Sequence, residues 1–215
     1  KVKKVPNILF FSTGNEISNN KNIVIWKVRN SNSHYIKSLS NNFLFNFLDG
    51  GILRDKDEKI FKKKIEKSIK SKIDIIITSG AVSAGKHDFV PSVVKKFSLS
   101  NFFKGVAIRP GKPILFAKLK SFDKAIFGLP GNPISSSACF RFFVYPYLLS
   151  ILGIKSEKPF KAKLKNNYSK NKKVIRFLKA KLTSTNDGKL EIQVLKGQES
   201  FRIKSFVESN VWGMF

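Results

Sequence analysis

Three carboxylates in this 215-residue sequence stand just past apolar runs. Glu16 follows Asn7–Phe11 (NILFF) and the turn-forming residues Ser12, Thr13, Gly14 and Asn15. Asp55 follows Gly50-Gly51-Ile52-Leu53-Arg54, and Asp88 closes the stretch TSGAVSAGKHD that begins at Thr78. Acidic side chains so placed suit a Mg²⁺ ion, which takes a few protein oxygens and completes its shell with water and phosphate. The neighbouring loops suit the phosphate. Gly80 and Gly85 let a ligand approach the backbone, and Ser79 and Ser83 add hydroxyls. A second loop of this type, Gly128-Leu129-Pro130-Gly131-Asn132-Pro133, ends with an N-cap residue and a proline fit for the first helical position. Arg109 and Lys112, in the turn Arg109-Pro110-Gly111-Lys112-Pro113, bring positive charge for an anion.

Each feature also has an ordinary explanation. Glu16 can cap a turn, Asp55 can pair with Arg54, and Asp88 suits a helix start on dipole grounds alone. His34 and His87 are isolated and lack the further ligands that zinc requires. Ser136 has no base placed for it as a nucleophile.

The elements that must carry these residues alternate. A buried strand at Asn7–Phe11 is followed by irregular chain over 17–29. Next comes a helix from the N-cap cluster at Asn30 to about Phe43, and then a strand near Phe45–Leu48. Asp57 is placed to cap a helix with Ile60, Phe61, Ile65 and Ile69 on one stripe. Ile73–Thr78 reads as a strand, Phe89–Phe97 as a short helix with Pro91 in its first turn, and Ile114–Lys118 and Ala125–Phe127 as strands. A long helix over Ile134–Leu152 is expected to kink at Pro146 and end at Gly153. This alternation predicts a mostly parallel, doubly wound α/β domain over residues 1–153. Ligands of such sheets bind outside the carboxyl ends of the strands, where the loops above emerge. Residues 154–215 show no helical pattern. They carry alternating runs at Phe160–Leu164, Val174–Leu182, Leu190–Leu195 and Phe201–Phe206, with a hairpin signal at Asn186-Asp187-Gly188. They predict a small, incomplete β-barrel domain.

The formal net charge is +27, yet Lys far outnumbers Arg and is spread along the chain, and 21 Phe fill apolar positions. That texture indicates compositional drift toward Lys, Asn, Ile and Phe and disfavours nucleic-acid binding, for which clustered Arg is the signature. The single cysteine, Cys139, lies in an apolar pattern, excludes an intrachain disulfide and fits a reducing cytoplasm. The longest apolar stretch, Cys139–Leu152, is broken by Arg141 and falls short of the ~20 residues that span a bilayer, so no membrane partner is expected.

Read together, the segments FSTGNEI, NSNSHYIKSL, GILRDKDE, DIIITSGAVSAGKHDFV, FKGVAIRPGKPILFAKL and FGLPGNPISSSACFRFFVYPYLLSILG resemble the molybdopterin molybdenumtransferase family (the MoeA type, similar to the E domain of gephyrin). The resemblance covers residues 5–153 and continues through IKSFVESNVWGMF in the tail. It implies a three-layer molybdopterin-binding fold of the MoaB/Mog kind. It also implies a reaction in which adenylylated molybdopterin is cleaved, molybdate enters the dithiolene and AMP is released, with Mg²⁺. By position, Glu16, Asp55 and Asp88 match the family's active-site acids. Ser79, Gly80, Ser83 and Gly85 match its pterin- and phosphate-binding loop, and Arg109, Lys112, Pro130 and Pro133 its substrate-contacting loops. Thr13, Gly14, Gly131 and Asn132 fall in the same matching segments. A homodimer and two further domains ahead of this region are implied as well. Molybdopterin adenylyltransferase of the MogA type and a non-catalytic molybdopterin-binding module are the alternatives; the tail argues against the first. The sequence departs from the family pattern at Ala81 (usually Gly), Ala84 (usually Val), Lys86 (usually an acid) and Asn30 (commonly Asp).

Overall fold

A strand covered on both faces must be apolar at every position, as Ile75, Ile76 and Ile77 are. The computed structural model describes residues 3–42, 44–83, 88–169 and 174–215, and such strands form its centre. In chain order the elements begin with β1 (Asn7–Thr13), β2 (Ile17–Ser18), β3 (Val28–Arg29), α1 (Ser31–Leu39), β4 (Asn46–Leu53) and α2 (Glu58–Ile69). Then come β5 (Ile75–Ser79), α3 (Val90–Val94), β6 (Leu99–Lys104), β7 (Ile108–Arg109), β8 (Leu115–Leu119) and β9 (Ala125–Leu129). A continuous helix follows over Pro133–Leu152, made of α4 (Pro133–Cys139), a π segment at Phe140–Val144, and α5 (Tyr145–Leu152). The tail holds β10 (Lys163–Leu164), β11 (Ile175–Ser184), β12 (Leu190–Val194), α6 (Ile203–Glu208) and β13 (Val211–Met214).

The main sheet has the order β4-β1-β5-β9-β8-β6. Its first four strands are parallel; β8 runs against β9, and β6 against β8. The two-residue period divides the core. Ile8, Phe10, Ile75, Ile77, Ala125 and Phe127 join Ile36 of α1 and Cys139, Val144 and Leu148 of the long helix in one buried cluster. Phe11, Ile76 and Ile126 meet Phe61 and Ile65 of α2 and Val90, Val93 and Val94 of α3 in another. Each fully buried aliphatic or aromatic side chain contributes roughly 2 kcal/mol, so the stripe on α2 alone fixes that helix to the sheet.

This topology creates a crevice. From β1 the chain crosses by α1 to β4 on one side, and from β5 it proceeds toward β9 on the other. The direction of winding therefore reverses between β1 and β5, which is where open α/β sheets bind their ligands.

Several expectations are corrected. Gly50 and Gly51 do not end a strand; β4 runs through them to Leu53. Residues 99–104 form the edge strand β6, which the sequence reading left unassigned. Asn30 and Asp57 flank helices without capping them. Asp57 instead accepts from the Arg54 N–H at 2.8 Å, closing the turn before α2. Pro146 has no N–H for the carbonyl one turn earlier, and the helix widens into the π segment just before it. That helix, twenty residues against the nineteen expected, is apolar enough to span a bilayer by length and composition, where the sequence reading counted only the stretch Cys139–Leu152 as apolar. Half of it is buried, against the sheet.

The tail forms an open sheet of order β10-β12-β11-β13, with β7 also pairing β11; no closed barrel forms among the described residues. The hairpin at Gly188 joins antiparallel β11 and β12 as expected. Phe201–Phe206 is not a strand: α6 occupies Ile203–Glu208, and the last strand is β13.

Candidate functional site

At the carboxyl edge of β1, β4, β5 and β9 lies a cavity of about 430 Å³. All three nominated acids line it: Glu16 from the loop after β1, Asp55 from the loop after β4, and Asp88 from the segment after β5. Thr13, Gly14, Ser79, Gly80, Ser83, Pro130, Gly131 and Pro133 line it too. Gly85 lies outside the described residues, as do Ala84, Lys86 and His87. Arg109 and Lys112 do not line the cavity, and both are exposed. Arg109 belongs to β7, which is paired with β11 of the tail sheet. Only Pro113 of that turn reaches the lining. Asn132 is likewise not in the lining; its Oδ1 accepts from the Ser135 N–H at 3.2 Å and caps α4.

The strand ends are held tightly together. Ser12 pairs with Ser79 across β1 and β5, and Ser79 with Leu129 across β5 and β9. The Thr13 hydroxyl donates to the Ser79 carbonyl at 3.0 Å. Gly80 has φ +103°, and a Cβ there would lie 2.8 Å from the Thr13 carbonyl oxygen, so no other residue fits. Ala81, where the family pattern has glycine, adopts φ +53°. This is left-handed backbone that an L side chain enters at a cost of about 1 kcal/mol.

The loop after β1 is positioned by a residue the sequence reading treated only as a partner for Asp55. The Arg54 guanidinium donates to the carbonyls of Gly14 (3.0 Å), Asn15 (3.2 Å) and Ile17 (2.9 Å). Asp55 is tied to the same loop, its N–H donating to the Asn15 side chain at 3.3 Å. Glu16 and Asp55 are thus carried by one cross-linked unit.

Asn32 was also missed, because an Asn-Ser-Asn run before a helix reads as capping chemistry. Its Nδ2 donates to the Ser79 hydroxyl (2.6 Å) and the Gly131 carbonyl (2.8 Å), clasping the loops after β5 and β9. Asn30 is buried, bonded to the Ser12 hydroxyl at 2.6 Å and to Asn19 at 2.9 Å. Arg29 is the third omission. It lines the cavity from β3, in a stretch expected to be irregular, where no periodicity marks it.

The electrostatics of the lining invert those of the chain. Among the described residues, three carboxylates and one guanidinium line the cavity, on a chain of net charge +27. The expected backbone cradle for phosphate is partly occupied. The Gly80 N–H donates to the Leu129 carbonyl at 2.8 Å, the Ser135 N–H is capped, and Pro133 has none. Nor do three metal-binding side chains gather into one cluster among the described residues. Glu16, Asp55 and Asp88 share the cavity, which leaves room for an ion that takes most of its shell from phosphate and water. Cys139, at the end of α4, is buried in the core; burial pushes its thiol up to about 12.

Comparison with known proteins follows the same outline. Residues 10–150 match the family described as the probable molybdopterin binding domain. The curated molybdopterin molybdenumtransferase of Haemophilus influenzae is 34% identical over 204 residues, covering 93% of this chain and 49% of that protein. The molybdenum cofactor synthesis protein cinnamon of Drosophila melanogaster is 32% identical over 211 residues, covering 96% of this chain and 34% of that protein. The chain therefore spans half or less of the length of these relatives. Among solved structures, the molybdopterin biosynthesis moeA protein of Pyrococcus horikoshii superposes with a TM-score of 0.73 at 29% identity, over 98% of this chain and 50% of that one. The MoaB structure from Thermus thermophilus superposes with a TM-score of 0.51 at 16% identity over 72% of this chain, a likeness of fold alone.

Proposed function

The chain belongs to the molybdopterin-binding domain family, and from that premise we propose that its cavity binds adenylylated molybdopterin for the molybdenum-insertion step of cofactor biosynthesis. In that reaction the diphosphate link to adenosine is cleaved, AMP leaves, and molybdate enters the dithiolene. The observation that carries this reading is the meeting of loops after β1, β4, β5 and β9 in one acidic cavity at the switch point of the sheet.

The donor set fits a shared Mg²⁺ and not a protein-only cage. This ion commonly takes one or two carboxylates with the remaining oxygens from phosphate and water. Glu16, Asp55 and Asp88 are the residues to hold it, and bound there it would neutralise the diphosphate during cleavage. Glu16 and Asp55 are oriented through Arg54 and Asn15. Arg29, the cation in the lining, replaces Arg109 and Lys112 as the anion contact we favour. Asn32 holds Ser79 and Gly131 at fixed separation against the ligand.

The adenylyltransferase alternative has less support. The molybdenumtransferase of Haemophilus influenzae aligns over 93% of the chain, tail included, whereas the MoaB-type structure covers 72%. We further propose two units, 1–153 and 154–215, a homodimer, and a cytoplasmic setting in keeping with the buried free thiol of Cys139. The test is incubation with adenylylated molybdopterin, molybdate and Mg²⁺, followed by measurement of AMP. Molybdate-dependent AMP release is expected and should fall at least tenfold in Glu16→Gln, on the order of one lost charge contact. Bound pterin without AMP release would leave the non-catalytic binding module in place of the enzyme.

A further inference from the structure

Hydrogen-bond bookkeeping at the cavity floor reaches beyond the identity of the ligand to its orientation. Thr13, Asn32 and Ser79 line the cavity, and Thr13 and Ser79 are nearly buried, at 4% and 3% exposure. Each has main-chain carbonyl partners, which only accept, so the direction of each bond is fixed by chemistry. The Thr13 hydroxyl gives its proton to the Ser79 carbonyl at 3.0 Å. The Ser79 hydroxyl gives its proton to the Pro130 carbonyl at 3.2 Å while accepting from Asn32. The Asn32 amide must turn its nitrogen toward the Gly131 carbonyl, and its two N–H groups go to Gly131 and Ser79. No polar proton of these three side chains is left over. What remains is lone pairs: two on Thr13, one on Ser79, and the amide oxygen of Asn32.

An acceptor-only surface repels phosphate oxygens and attracts N–H groups. The acids Glu16, Asp55 and Asp88 add further acceptors to the same lining. Among the described lining residues the cationic donor is Arg29, beside the neutral hydroxyls of Ser31 and Ser83. We propose that Thr13, Asn32 and Ser79 form a specificity surface that selects the N–H edge of the pterin ring and turns the ligand's phosphates away, toward Arg29. The inference rests on the pterin-binding reading above and assigns Ser79 the role of acceptor, not of phosphate donor.

The test compares two ligands of nearly equal shape. Pterin carries a 2-amino group where lumazine carries a carbonyl, so one presents a donor and the other an acceptor. Both are titrated into the full chain in EDTA at a pH where both are neutral, followed by ring fluorescence, with AMP as the phosphate probe. The wild-type chain should prefer pterin over lumazine by about tenfold or more, the effect of one buried acceptor left facing another. Ser79→Ala should bring that preference to within about threefold, because the lone pair is removed, while AMP affinity stays within about twofold. Equal affinity for the two rings in the wild-type chain overturns the proposal without needing any variant. So does a Ser79→Ala chain that loses AMP affinity and keeps its ring preference. Failure of both pterin and lumazine to bind is a separate outcome, and it overturns the pterin-binding function itself.

Discussion

Ala81 shows how a single residue can separate the needs of the fold from those of the site. Its φ of +53° sits where the chain turns from β5 into the cavity-lining segment. Replacing it with glycine removes a side chain from left-handed backbone, and Ala81→Gly should stabilise the chain by about 1 kcal/mol. A urea titration reads this as a higher midpoint at unchanged slope; an unchanged or lower midpoint contradicts it. At this scale the sequence was informative where a residue type has one use. The three acids and the small residues of two loops were visible because each stands just past an apolar run, at the strand ends where an open sheet binds its ligands. Arg54, Asn32 and Arg29 were not visible. An arginine that binds three carbonyls and an asparagine that clasps two loops act through partners distant in sequence, and no spacing announces them. Arg109 and Lys112 stand outside the cavity lining, and the pairing that places Arg109, between β7 and β11, was not legible either.

Elements position these side chains through close approaches, and one can be tested chemically. Gly111 packs on α4 so closely that a Cβ there would lie 2.6 Å from the Cys139 sulfur. The Cys139 thiol also donates to the Gly111 carbonyl at 3.4 Å. Burial lifts that thiol from 9.0 to about 12. A raised folded value means that the unfolded chain loses its proton first. The contribution of Cys139 is therefore intact below pH 9 and declines as the pH climbs toward about 12. At pH 8 a thiol alkylating reagent should leave the folded chain unlabelled and modify it at the rate of unfolding; rapid labelling of the native chain would show that this contact is open. The parallel strands were readable because their continuous apolar runs have no other explanation. The α6 helix was not, because Phe201–Phe206 mixes exposed apolar and basic residues and its short length leaves no stable 3.6-residue period.

Over the whole molecule, the two sheets are joined by more than a linker. The Ile175 N–H donates to the Ala107 carbonyl at 3.0 Å, and Phe142 of the long helix stacks on Phe177 with ring centroids 3.7 Å apart. Tyr35 of α1 meets Phe206 of α6 edge to face at 6.2 Å. A chain ending at residue 153 should therefore expose apolar surface, binding a hydrophobic dye and unfolding at a midpoint several degrees lower, roughly the effect of losing 1–2 kcal/mol. Unchanged dye binding and melting would mean that the first sheet is independent. The change from alternating strands and helices to a strand-rich tail was readable; the pairing of β7 with β11 was not, since two residues carry no periodicity. The winding reversal between β1 and β5 is what makes the ligand site in the reading proposed above. A crystal soaked with adenylylated molybdopterin tests this most directly. The ligand should lie in the crevice bounded by Glu16, Asp55, Ser79 and Asp88, its ring on the floor and its phosphates toward Arg29. Ligand found instead against the Arg109–Lys112 turn or on the tail sheet, with the crevice empty, would contradict it.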